Sequence, residues 1–114
     1  GYETEQGMRG CEYLMNLPSP PTAIFSISDI IAIGAMNYAL SKGYRIGKDL
    51  IFMGFDNIQY SHMFVPHLST VEQPCYAQGK LVIEKLIENM NKTTKDNHYY
   101  TVDHRIILRE STGD

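Results

Sequence analysis

Two acidic side chains, Asp29 and Asp56, each stand where an apolar run gives way to polar residues. Ser28 precedes the first and Asn57 follows the second. An ionised carboxylate accepts hydrogen bonds through both oxygens and donates none, which suits a ligand rich in hydroxyl groups, such as a sugar. Gln73 offers an amide that both donates and accepts, and Tyr2 a ring able to stack on a sugar or a base. Each group also has a plainer reading. Ser28 or Asp29 caps a helix, Asp56-Asn57 starts an Asx turn, Gln73 caps the next helix, and Tyr2 is an ordinary surface or core aromatic. Reaction chemistry finds less support. His62, His67, His98 and His104 show no metal-ligand spacing, and no Ser/His/Asp or Cys/His arrangement is identifiable. Neither Gly-x-Gly-x-x-Gly nor a P-loop occurs. The expectation is a binding protein rather than an enzyme, with no cofactor and no metal. An α/β enzyme using Asp29 or Asp56 as general base would need a nucleophile or metal partner, and the sequence supplies none.

Strands and a helix must position the two acids. Residues 50–57, Leu-Ile-Phe-Met-Gly-Phe-Asp-Asn, are an apolar run cut off by Gly, Asp and Asn, the pattern of a buried strand in a parallel sheet. Residues 22–27 read as a second strand of that kind. Residues 29 to 42 read as a helix between them, closed by Gly43 as a left-handed cap. Strand, helix and strand predict a right-handed βαβ unit. In open α/β sheets, ligands sit beyond the carboxyl ends of the strands, so Asp29 and Asp56 are expected side by side at the mouth of one crevice. Upstream, residues 4–15 form a helix with Thr4 as N-cap and Met8, Cys11 and Met15 on one face; Pro18, Pro20 and Pro21 end it. Residues 58–67 are irregular, yet Tyr60, Met63 and Phe64 make them too apolar for a solvated loop. A short extended piece at 69–72 leads to Pro74 at the first position of another helix, where Val82, Ile83, Leu86, Ile87 and Met90 form a broad apolar face. A polar loop at 91–98 precedes a last, edge-type strand at 100–109.

The 114 residues amount to one small domain or a piece of a larger one. The chain opens at Gly1-Tyr2-Glu3 without an initiating Met and reads as a segment of a longer protein. A hydrophobic share of 43% is that of a globular chain, and no apolar run approaches a membrane span. Net charge is −3 with scattered basic residues, so this segment carries no electrostatic footprint for nucleic acid. Cys11 and Cys75 read as two reduced, semi-buried thiols.

Four blocks bear a family resemblance. Pro21-Thr22-Ala23-Ile24-Phe25 with Ser28-Asp29 and Ala32-Ile33-Gly34-Ala35 resembles the PTAIF…ND…AIGA block of the LacI/GalR family of bacterial transcription regulators. Met53-Gly54-Phe55-Asp56-Asn57 resembles its V-G-F-D-[DN] block. The run from Pro66 to Pro74, with Gly79 downstream, resembles P-x-L-T-T-V-x-Q-P…G, and Leu108-Arg109-Glu110-Ser111-Thr112 resembles the closing L-x-R-x-S-T. The ordered set covers nearly the whole chain. It implies an α/β, Rossmann-like lobe of a two-lobed, periplasmic-binding-protein-like type I domain, incomplete here. Residues 1–73 would belong to the C-terminal lobe, 74–98 to a crossover and a helix packed on the N-terminal lobe, and 99–114 to a returning strand and tail. The resemblance implies a small-molecule effector, a sugar, held by Tyr2, Ser28, Asp29, Asp56 and Gln73. Ser28 departs from the usual Asn, and its hydroxyl reaches less far and makes fewer bonds. It further implies a homodimer, with Ile33, Asn37, Tyr60, Met63 and Phe64 as candidates for the interface. Operator DNA would be met only through a headpiece upstream, in the cytoplasm. The alternative in the same fold is a periplasmic sugar-binding protein of an uptake system, which the Arg109-Glu110-Ser111-Thr112 ending disfavours.

Overall fold

A computed structural model describes residues 1–92 and 99–113. Helix α1 (Tyr2–Met15) is followed by strand β1 (Ala23–Phe25), helix α2 (Asp29–Ser41) and strand β2 (Ile51–Met53). A 3-10 turn (Gln59–His62), strand β3 (Thr70–Glu72), helix α3 (Cys75–Met90), strand β4 (Arg105–Ile107) and a second 3-10 turn (Glu110–Thr112) complete the chain. Strands β1 and β2 pair in parallel, with Ile24 beside Phe52 and α2 between them in sequence, as a βαβ unit requires. Strands β3 and β4 pair antiparallel, and the isolated parallel bridges Met53–Ser69 and Asp56–Glu72 join the two pairs.

Local chemistry sets most boundaries. Ser28 caps α2 by accepting from the Ile31 amide, and Gly43 follows the helix with a positive φ of 85°. Helix α1 starts earlier than expected, with Gly1 in the cap position. Thr4 sits inside the first turn, where its hydroxyl donates 2.7 Å to the Gly1 carbonyl. Strand β4 is shorter than residues 100–109, because its ladder partner β3 is itself only three residues long. Of the polar stretch 91–98, residues 93–98, with His98, lie outside the described residues.

The core is one cluster in which Cys11 of α1 and Ala32, Ile33, Ala35, Met36 and Ala39 of α2 meet Leu50, Phe52 and Leu68. Helix α2 is buried along much of its length, in keeping with apolar residues that run almost all round it. Helices α1 and α2 cross with their backbones nearly touching. A Cβ on Gly7 would strike the Ile31 carbonyl oxygen, and one on Gly34 would strike the Thr4 carbonyl oxygen. Helix α3 is built differently. It has no buried residue, and Val82, Ile83, Leu86, Ile87 and Met90 are each more than half exposed. The radius of gyration, 18.3 Å, exceeds the roughly 13 Å of a compact domain this size, so part of the chain stands away from the main body.

Candidate functional site

The sheet delivers both acids to the same end, and there their environments diverge. Asp29 opens α2. Its amide donates 3.0 Å to the Phe55 carbonyl, which ties the helix to the end of β2. Its carboxylate is 0% exposed and both oxygens are occupied. Oδ1 accepts from the Thr70 hydroxyl at 2.6 Å and Oδ2 from the Ile58 amide at 2.8 Å. Burial raises the Asp29 pKa above its ordinary value, while the bonds from Thr70 and Ile58 pull the other way. Gly54 makes room for this carboxylate, since a Cβ there would collide with Asp29 Oδ1. The expectation that Asp29 faces the crevice is therefore corrected. Its charge is spent on joining helix, loop and β3, because leaving a buried carboxylate unpaired would cost far more than closing it over with donors.

Asp56 is exposed. Its φ is 111° and that of Asn57 is 58°, so two successive non-glycine residues turn the chain sharply off β2. The turn is held by its amides. Asp56 N donates 2.9 Å to the Val71 carbonyl, and Asn57 N donates 3.2 Å to Thr70 Oγ1, the oxygen that also serves Asp29. Gln73 Nε2 donates to Asp56 Oδ1, so these two expected site residues do come together. Ser28, half-buried, is committed to its cap. Tyr2 is 75% exposed and lines a depression of about 380 Å³ with Glu5, Gln6 and Arg9 of its own helix.

Of the residues expected at a dimer face, Asn37, Tyr60, Met63 and Phe64 are exposed, and the rings of Tyr60 and Phe64 stand 6.2 Å apart. Ile33 is not among them. It is 7% exposed and packs in the core, because α2 is covered on nearly every side. A cavity of about 650 Å³ lies away from the acids, between α3 and the segment 100–104, where Leu81, Val82, Leu86, Tyr100, Val102 and His104 line it. Of the apolar face of α3 only Val82 and Leu86 reach it, and Gln78, Lys85, Glu88 and Asn89 line it beside them.

Sequence reasoning missed Thr70, Glu72 and Arg109. Asn57 Nδ2 donates 2.6 Å to Glu72 Oε2, Arg105 Nη2 lies 3.2 Å from Glu72 Oε1, and Arg109 Nη2 donates 2.8 Å to Asn57 Oδ1. No spacing rule signals contacts this distant in sequence. Gly54 did carry a signal, because a glycine inside an apolar strand often marks close approach of another group. Among the described residues, no group of three or more His, Cys, Asp or Glu is placed to hold a metal. No helix among them is long and apolar enough to cross a membrane.

The periplasmic binding protein-like domain matches residues 1–112. The HTH-type transcriptional repressor CytR of Escherichia coli (strain K12) is 35% identical over 108 residues, covering 95% of this chain and 32% of its own. Among solved structures, the transcription regulator CcpA of Lactococcus lactis superposes with a TM-score of 0.85 at 27% identity, covering 98% of this chain and 41% of that one. A LacI family transcriptional regulator from Arthrobacter sp. FB24, solved in complex with lactose, superposes with a TM-score of 0.82 at 25% identity, covering 96% and 41%. The chain spans about a third of the length of the curated relatives it matches. The chain belongs to the periplasmic binding protein-like domain family, and the relatives it resembles are transcriptional regulators.

Proposed function

We propose that this chain is part of the effector-sensing domain of a LacI-type repressor, and that a sugar is met by Asp56 and Gln73 at the carboxyl end of β2. The observation that carries the reading is the exposed Asp56 carboxylate, aimed out of the sheet by a constrained turn and paired to Gln73, in a chain matched over 112 residues by this domain family. Gln73 lies where the chain leaves β3 for α3, so a ligand drawing on both groups bridges the sheet and the crossover. Ser28 and Tyr2 belong to the rim of the same site, and Asp29 shapes it from inside through Thr70 and Ile58. The lactose-bound relative supports a sugar as the ligand class.

Helix α3 packs on a second lobe formed by upstream sequence, which accounts for its bare apolar face. A sugar bound between the lobes favours their closed arrangement, and that shift alters the affinity of a DNA-reading headpiece elsewhere in the protein. The protein then works in the cytoplasm, as a homodimer whose interface includes Asn37, Tyr60, Met63 and Phe64, and performs no catalysis.

The test is calorimetric titration of mono- and disaccharides into the full-length protein and into this segment alone. Saturable binding of a sugar by the full-length protein, with binding to the segment weakened at least about a hundredfold because one lobe supplies only part of the contacts, supports the reading. Micromolar binding by the segment itself, or none by the full-length protein across the panel, overturns it.

A further inference from the structure

We propose that Arg109 is a positioning residue of the effector site, one that holds Asn57 and through it the turn that aims Asp56. The inference rests on the reading that Asp56 and Gln73 meet the effector, but its test needs no effector, so the two fail separately. Asp56 and Asn57 both have positive φ, and neither is glycine. Such conformations persist only where the surroundings over-determine them, and they gather at functional sites.

The side chain of Asn57 is gripped at both ends. Its Nδ2 donates to Glu72, and its Oδ1 accepts 2.8 Å from Arg109 Nη2, with the Ser61 hydroxyl 3.0 Å away. The other arm of the Arg109 guanidinium donates 2.7 Å to the Leu68 carbonyl, just before β3, and lies 3.0 Å from Ser61 Oγ. One rigid plane thus fixes the distance between the turn and the strand beside it. Arg109 is itself anchored, its amide donating 2.6 Å to Ser69 Oγ. Lysine, a point donor on a flexible stem, does not span Asn57 and Leu68 together.

The test is amide hydrogen exchange on the full-length protein without ligand. In Arg109→Gln, exchange at Asp56, Asn57 and Ile58 is expected to quicken by about tenfold or more, while the amides of α2 keep their protection. In an Asn57→Gly background, the glycine takes the positive φ freely and offers Arg109 nothing to hold. There the same Arg109 change is expected to move these amides less than about twofold. Arg109→Lys carries the identical comparison should Arg109→Gln not fold. A rise spread evenly over the domain, no rise at residues 56–58, or the same rise in the glycine background would each overturn the proposal, leaving Arg109 as general packing.

Discussion

The turns that follow β1 and β2 place the same side chain at the same end of the sheet and use it in opposite ways. Asp29 is closed over by donors from Thr70 and Ile58, whereas Asp56 stands in the open, hydrogen-bonded to Gln73. The difference comes from what lies in front of each turn. Asp29 is the first residue of a helix that the rest of the domain covers, so its carboxylate turns inward and becomes a joint. Asp56 leaves β2 through a left-handed turn that throws its side chain outward. A carboxylate at a strand end is therefore not a ligand group by position alone; the backbone conformation decides.

The largest expected consequence is for stability. Asp29→Ala strands the Thr70 hydroxyl and the Ile58 amide inside the protein and should lower unfolding free energy by about 3 kcal/mol in urea titrations, while Asp56→Ala changes it by roughly 0.5 kcal/mol or less. Equal losses at the two positions would erase the distinction between joint and contact. Next comes Gly54→Ala, which drives a methyl group toward Asp29 Oδ1 and should cost about 1–3 kcal/mol, with a smaller cost when combined with Asp29→Ala, since the two share one space. Strict additivity in that double variant would show that Gly54 serves another purpose.

The smallest effect is on pH. The folded pKa of Asp29 lies above that of the unfolded chain, because burial disfavours its charged form. As pH falls through the folded pKa, the native state takes up this proton before the unfolded state does. The contribution of Asp29 is thus fully present below its ordinary value and is lost as pH rises through the folded pKa. Relative to Asp29→Asn, the wild-type protein should gain stability on acidification over that window, and a loss would reverse the sign assigned to burial. The thiols offer a parallel contrast. Cys11 is buried with its pKa pushed up to about 11, and Cys75 is exposed. A maleimide should label Cys75 at neutral pH and leave Cys11 unreacted until the protein unfolds.

Much of this was legible in the sequence, for reasons of range. The two apolar runs, the Ser28 cap and Gly43 act within a few residues, and the βαβ unit follows from them. Both acids directly follow apolar runs, so their position at the strand ends is readable from the sequence. The inward turn of Asp29 was not legible, because its partner Thr70 is 41 residues away. The family resemblance alone puts Ile33 forward for an interface, and the burial of Ile33 depends on packing partners that its spacing along α2 does not reveal. The grip of Arg109 on Asn57 spans 52 residues and leaves no periodic trace.

The central claim is that Asp56 touches the effector and Asp29 only shapes its site. It is tested most directly by titrating the sugar that binds the full-length protein into Asp56→Ala and recording thermal unfolding of the same samples. If Asp56 contacts the effector, affinity falls at least about tenfold while the unfolding temperature of the ligand-free protein is unchanged. Unaltered affinity in Asp56→Ala would contradict it.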